Sequence, residues 1–248
     1  MDRSSRREES FSPVRMALLG GFDLRIADEQ VDVPPGSARL LGFVALTCQG
    51  AVSRALVAGS LWPEAPDRCA YANLRSALSR LNGVGREALD VSTTEVRLAR
   101  EVSVDFHHAQ SLAHFVLGPD MSPEDPKVGM ETIHALSTDL LPGWYEDWAL
   151  LQAESWLQLR THALEKLAEG FISAGRFAEA VAAAHAAVCA NPLRESCQAL
   201  LIRAHLAEGN PSEALGVFER YEEHLQAEMG LQPTPRLSEL VSDLPRAA

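Results

Sequence analysis

No run of apolar residues in this sequence approaches the roughly 18 that a membrane-spanning helix needs, so no membrane partner is expected. The start, MDRSSRREES, is polar and charged, and no apolar segment follows it. A secretory leader is therefore not expected, and the expected location is the cytoplasm. Cysteine is scarce: Cys48, Cys69, Cys189 and Cys197 form no CxxC pair and have no histidine at zinc-ligand spacing. They read as reduced thiols rather than a disulfide frame or a metal knot. His107, His108 and His114 lie near Asp105, but only His107 and His114 share a helix face, so a metal centre is not expected. Also missing are GxxxxGK[ST], GxSxG, HExxH and a GxGxxG after a strand. Those gaps argue against an enzyme and against a bound cofactor.

What is present suits two soluble domains. The chain has 248 residues, 46% of them hydrophobic and 23% charged, near the ordinary values for globular proteins. The net charge of −12 is unevenly placed. Residues 1–104 carry 13 Arg and Lys against 13 Asp and Glu, whereas residues 105–248 carry 9 against 21. The second part would be repelled by phosphate and suits protein contacts. The first is neutral and can meet nucleic acid only where its arginines gather on one face.

Residues 1–14, Ser-rich and charged, read as a disordered tail. Residues 15–104 read as one domain. Met16 to Leu19, Phe22 to Ile26 and Gln30 to Val33 are short strand-like runs separated by Gly20-Gly21 and Ala27-Asp28-Glu29, which predicts a small antiparallel sheet. Three helices follow. Ser37 is expected to cap the first, which runs to about Thr47 with Leu40, Leu41, Val44 and Ala45 on one face. Ser53 caps a short second helix, Arg54 to Leu61, stopped by Pro63. The third covers about Asp67 to Asn82. Leu89–Ser92 and Glu95–Leu98 then flank Thr93-Thr94, as in a hairpin. A sheet, three helices and a hairpin in this order make an α+β winged helix.

In a helix-turn-helix the second helix enters the major groove. Here that helix carries Asn73, Arg75, Ser76, Ser79 and Arg80 away from its apolar side. Arginines at such positions reach guanine or phosphate, and the shorter side chains add hydrogen bonds. Arg54 is placed for a backbone phosphate, and Thr93, Thr94 and Arg97 for the wing. An amphipathic helix with two arginines is usually only a solvated face; the order of the elements around it is what points to DNA.

Residues 105–248 read as all-helical. Trp144, Trp148 and Trp156, at offsets of four and eight, read as a packing stripe between the two domains. Gly175-Arg176-Phe177-Ala178-Glu179-Ala180 recurs as Gly209-Asn210-Pro211-Ser212-Glu213-Ala214, an offset of 34 residues. That is the tetratricopeptide period. Such repeats stack helix pairs around a concave surface suited to partners.

The run LLGGFDLRIADEQVDVPPGSARLLGFVAL, Leu61-Trp62-Pro63 and Ala72–Leu81 resemble the OmpR/PhoB-type winged helix of the Streptomyces antibiotic regulatory protein family. Asp139–Tyr145, Asn191–Glu195 and Glu228–Pro235 resemble the bacterial transcriptional activation domain of the same proteins. The resemblance covers about residues 15–243. It implies a transcriptional activator that binds promoter DNA and recruits RNA polymerase, with the helical domain assisting polymerase contact or forming a homodimer. Two departures bear on affinity. Asn82-Gly83 stands where relatives often carry further basic residues, and the N-terminal half is not net basic. A neutral domain binds non-specific DNA poorly, so a second subunit or polymerase would supply the rest of the grip. The alternative is a protein-interaction module whose winged helix no longer binds DNA strongly.

Overall fold

The computed structural model describes residues 14–47, 50–81, 87–125 and 128–244. The expected tail except Val14, together with Cys48 and Asn82-Gly83, lies outside the described residues. The chain forms two compact units: residues through Phe106 with Leu140–Gln152, and His107–Asp139 with Ala153 onward. No helix among the described residues is long and apolar enough to cross a membrane.

The first unit holds two small sheets and three helices. β1 (Val14–Ala17), β2 (Asp23–Ile26) and β3 (Glu29–Gln30) form antiparallel pairs, with Val14 opposite Ile26 and Ile26 opposite Glu29. The β2–β3 turn is Ala27-Asp28, both left-handed at φ +50° and +66°, as a two-residue hairpin turn requires. After α1 (Pro35–Thr47) come β4 (Val52–Ser53), α2 (Arg54–Leu61) and α3 (Asp67–Arg80). β5 (Leu89–Val91) and β6 (Glu95–Leu98) make the hairpin, and β7 (Val102–Val104) closes the unit's first pass. The strand orders are β3-β2-β1-β7 and β4-β6-β5. This is a winged helix. The N-terminal sheet is not purely antiparallel as expected: β7 returns parallel to β1, Val102 opposite Val14. Alternation marks a strand, but it does not name the partner.

The expected core face of α1 is buried at Leu40, Leu41, Val44 and Ala45. Its start differs from expectation. The helix begins at Pro35, where a missing N–H costs nothing, and Pro34 accepts the first amides, from Ser37 and Ala38. Ser37 is therefore not the cap. It is fully buried, and its Oγ donates to the Ala77 carbonyl of α3 at 2.8 Å. The expected cap at Ser53 is present: its side chain accepts from the Leu56 amide.

α4 (Asp105–Leu117) starts in this unit. The Asp105 carboxylate accepts from the amides of Leu18 at 2.8 Å and Leu19 at 3.2 Å, just beyond β1. Leu140 pairs with Leu19, and the Leu141 amide donates to the Leu18 carbonyl. Leu141 and Gly143 are left-handed and turn the chain so that Trp144 packs against Phe22 and Trp148 against Phe43. A Cβ on Gly42 would sit 3.2 Å from the Trp144 ring, so that glycine makes room for the indole.

The second unit is helical: α5 (Met130–Leu136), α6 (Asp147–Ser173) from Ala153 onward, α7 (Phe177–Ala190), α8 (Glu195–Glu208), α9 (Pro211–Met229) and α10 (Pro235–Glu239). The 34-residue repeat appears as two successive helix pairs, α6–α7 and α8–α9. Gly175 and Gly209 both end a helix in the left-handed conformation that glycine adopts without strain. Their partners match in burial: Leu167 with Leu201, Ala168 with Ile202 and Ala180 with Ala214 are all buried. Trp156 departs from the expected stripe. Trp144 and Trp148 pack in the first unit, whereas Trp156 is buried in the second and donates from Nε1 to the Thr138 carbonyl at 2.9 Å.

Candidate nucleic-acid interface

The candidate interface is built on α2 and α3. Leu61 is buried and ends α2, Pro63 forbids continuation, and the turn Trp62–Pro66 leads into α3. Ala70, Leu74 and Ala77 are the buried stripe of α3, at helical spacing. The opposite side is exposed. Asn73, Arg75, Ser76, Ser79 and Arg80 all lie there, as expected. The Ser79 hydroxyl is partly engaged, donating to the Ser76 carbonyl at 2.9 Å.

Arg68, not anticipated from the sequence, joins them. It is exposed and seven residues before Arg75, two turns away on the same face. The signal was that spacing, obscured because Arg68 precedes the apolar stripe that marks the helix.

Ion pairing separates these arginines from four others in the unit. Arg15 pairs with Asp28, Arg25 with Asp23, Arg39 with Glu146 and Arg97 with Asp90. Arg68, Arg75 and Arg80 have no carboxylate within ion-pair reach among the described residues. Three arginines without carboxylate partners among the described residues thus gather on the exposed side of one helix, within residues 1–104, whose charges sum to zero.

The expected wing residues behave differently. Thr93 and Thr94 are exposed at the hairpin tip, and Ser92 Oγ accepts the amides of Thr94 and Glu95, which holds the turn short. Arg54 does not project freely. Its amide donates to the Thr94 carbonyl at 2.8 Å and its guanidinium to the Ser92 carbonyl at 3.3 Å, fastening the start of α2 to the hairpin. Arg97 stands opposite Asp90 in the β5–β6 register and bonds it at 2.8 and 2.9 Å, so its charge is shared.

Residues 134–244 match the bacterial transcriptional activator domain family. The regulatory protein AfsR of Streptomyces coelicolor is 29% identical over 252 residues, covering 94% of this chain and 24% of that protein. AfsR of Streptomyces griseus is 28% identical over 210 residues, covering 78% and 21%. These likenesses support the resemblance to regulators of the Streptomyces antibiotic regulatory protein type. It spans less than a quarter of the length of those curated relatives. A solved structure, Mycobacterium tuberculosis EmbR in complex with a low affinity phosphopeptide, shares the fold. Its TM-score is 0.67 at 21% identity, over 93% of this chain and 64% of that one.

The geometry explains the sequence motifs of this regulator type. In Asn191–Glu195, Arg194 grips Glu165 of α6 through two bonds of 3.0 and 3.1 Å. Glu195 accepts from the Thr234 amide and hydroxyl, which ties the segment before α10 to the start of α8. Asp139 pairs with Arg160, whose side chain is only 3% exposed. Cys197 lies beside Glu165. Burial and that carboxylate push its thiol up to about 12, so it stays protonated at neutral pH.

Burial raises the Glu165 carboxyl, but the bonds from Ser196 and Arg194 and the charge of Arg194 outweigh it and leave the group below its ordinary value. As pH falls, the unfolded chain takes up this proton first. The stabilisation is therefore complete above the ordinary carboxylate range and is lost as pH falls through the depressed value. Glu165→Gln is expected to cost about 1–2 kcal/mol at neutral pH, as for a bond to a charged group. The gap in urea midpoints between the two proteins should begin to narrow as pH falls below the ordinary carboxylate range, about pH 4. A gap independent of pH would contradict this assignment.

Proposed function

We propose that this chain binds promoter DNA through its winged helix and acts as a transcriptional activator. α3 lies in the major groove, with Arg68, Arg75 and Arg80 on guanine edges or phosphates and Asn73, Ser76 and Ser79 giving shorter hydrogen bonds. Thr93, Thr94 and Arg97 of the hairpin lie against the adjacent backbone, and Arg54 holds that hairpin to α2. Residues 15–104 serve as the DNA-binding domain. Residues 105–248, which hold the acidic excess, contact RNA polymerase or a second subunit.

The observation that carries this reading is the set of three exposed, unpaired arginines on α3 in a unit whose other ion pairs are internal. The test is fluorescence anisotropy of a duplex taken from upstream of the chain's own reading frame, titrated with salt. Each phosphate contact contributes about −0.9 to the slope of log affinity against log salt. Arg68→Ala is expected to reduce that slope by about one. Absence of binding at low salt, or salt-insensitive binding, would overturn the reading in favour of a protein-interaction module.

A further inference from the structure

The second unit is acidic, yet its positive side chains are not spread at random. Lys166 of α6, Arg203 of α8 and Arg236 of α10 all line one groove of about 810 Å³. All three are exposed, and none has a carboxylate partner among the described residues. The carboxylates nearby are largely occupied. Glu165 is held by Arg194 and Ser196, and Glu195 by Thr234. Glu169 is the remaining acidic lining residue. Leu117, Ala199, Leu200, Leu237 and Leu240 supply an apolar floor. The wall is already rigid before any ligand arrives, because the Arg194–Glu165 pair and the Glu195–Thr234 bonds lock α6, α8 and the start of α10 together.

We infer that this groove is a binding site for a small amphipathic anion, a carboxylate, sulfonate or phosphate carried on an apolar body. Its volume falls within the range of small-molecule sites, about 300–1,000 Å³. The apolar body lies on the leucines, and the anionic head meets Lys166, Arg203 and Arg236. Three cations around one mouth select an anion over a neutral molecule of the same shape, because a neutral occupant would cover the charged groups without pairing them. The site is independent of the DNA-binding reading: its ligand can be measured without DNA.

The probe is anilinonaphthalene sulfonate, with phenylnaphthylamine as the uncharged molecule of the same apolar body, each titrated by fluorescence into the full chain. Saturable, one-site binding of the sulfonate is expected. Lys166→Ala/Arg203→Ala/Arg236→Ala should weaken it by about tenfold or more. Glu169→Gln should tighten it, and phenylnaphthylamine should bind more weakly and be indifferent to loss of the cations. These side chains are exposed and unpaired, so the thermal midpoint should hold. If the triple variant does not fold, Arg203→Gln and Arg236→Gln singly carry the test, each lowering affinity about threefold. Unchanged sulfonate binding in the variants, absence of saturable binding, or equal losses for the two probes would overturn the proposal.

Discussion

Arg75→Ala/Arg80→Ala is expected to lower affinity for the promoter duplex by about a hundredfold or more. Each arginine on a base edge or phosphate is worth about 1–3 kcal/mol, and 1.4 kcal/mol is a factor of ten. Both side chains are exposed, so the thermal midpoint should not move. The loss should then appear in binding alone. Arg75 and Arg80 differ by five residues, which places them on either flank of the outward face, so one variant removes contacts on both sides of the helix. Anisotropy at fixed salt measures the effect. A variant that binds as tightly as the parent would remove α3 as the DNA-reading element and leave the winged helix as a scaffold.

Trp156→Ala is expected to destabilise the helical unit by about 3–5 kcal/mol, the usual cost of emptying a large aromatic from a core. The side chain is only 2% exposed. Its loss also leaves the Thr138 carbonyl without the Nε1 donor, 2.9 Å away in the parent. Trp156→Phe keeps much of the volume and removes the hydrogen bond, and should cost about 1–2 kcal/mol. Urea unfolding followed by circular dichroism separates the two. A total stability of about 5–15 kcal/mol is usual for a domain, so the alanine variant should lose a large share of it. Equal midpoints for parent and Trp156→Ala would show that this indole does not anchor the unit.

Much of the architecture was legible locally. The faces of α1 and α3 follow from apolar residues three and four apart, and the hairpin from two alternating runs around Thr93-Thr94. The repeat follows from two glycines 34 residues apart, because each must take a left-handed conformation to let the next helix turn back. Where the reading erred, the cause was a distant partner. Ser37 has the chemistry of a cap, but α3 packs close enough for its hydroxyl to serve Ala77. Val102–Val104 is too short to announce a strand locally, and its parallel pairing with β1 depends on contacts nearly ninety residues apart in the chain.

The sequence by itself determined most of the helices, the β5–β6 hairpin and the placing of the acidic excess in residues 105–248, though not β4 or β7. These are consequences of side-chain periodicity, turn chemistry and composition, which act over a few residues. Only the tertiary structure decided which charges are free. Strand register sets Arg97 against Asp90 and withdraws much of its charge from the expected interface. Helix packing leaves Arg68, Arg75 and Arg80 unpaired on one face. Folding of the helical unit brings Lys166, Arg203 and Arg236 around one groove, although more than thirty residues separate each from the next. Charge acts through space over a few ångströms, so where it is neutralised and where it is available cannot be read along the chain.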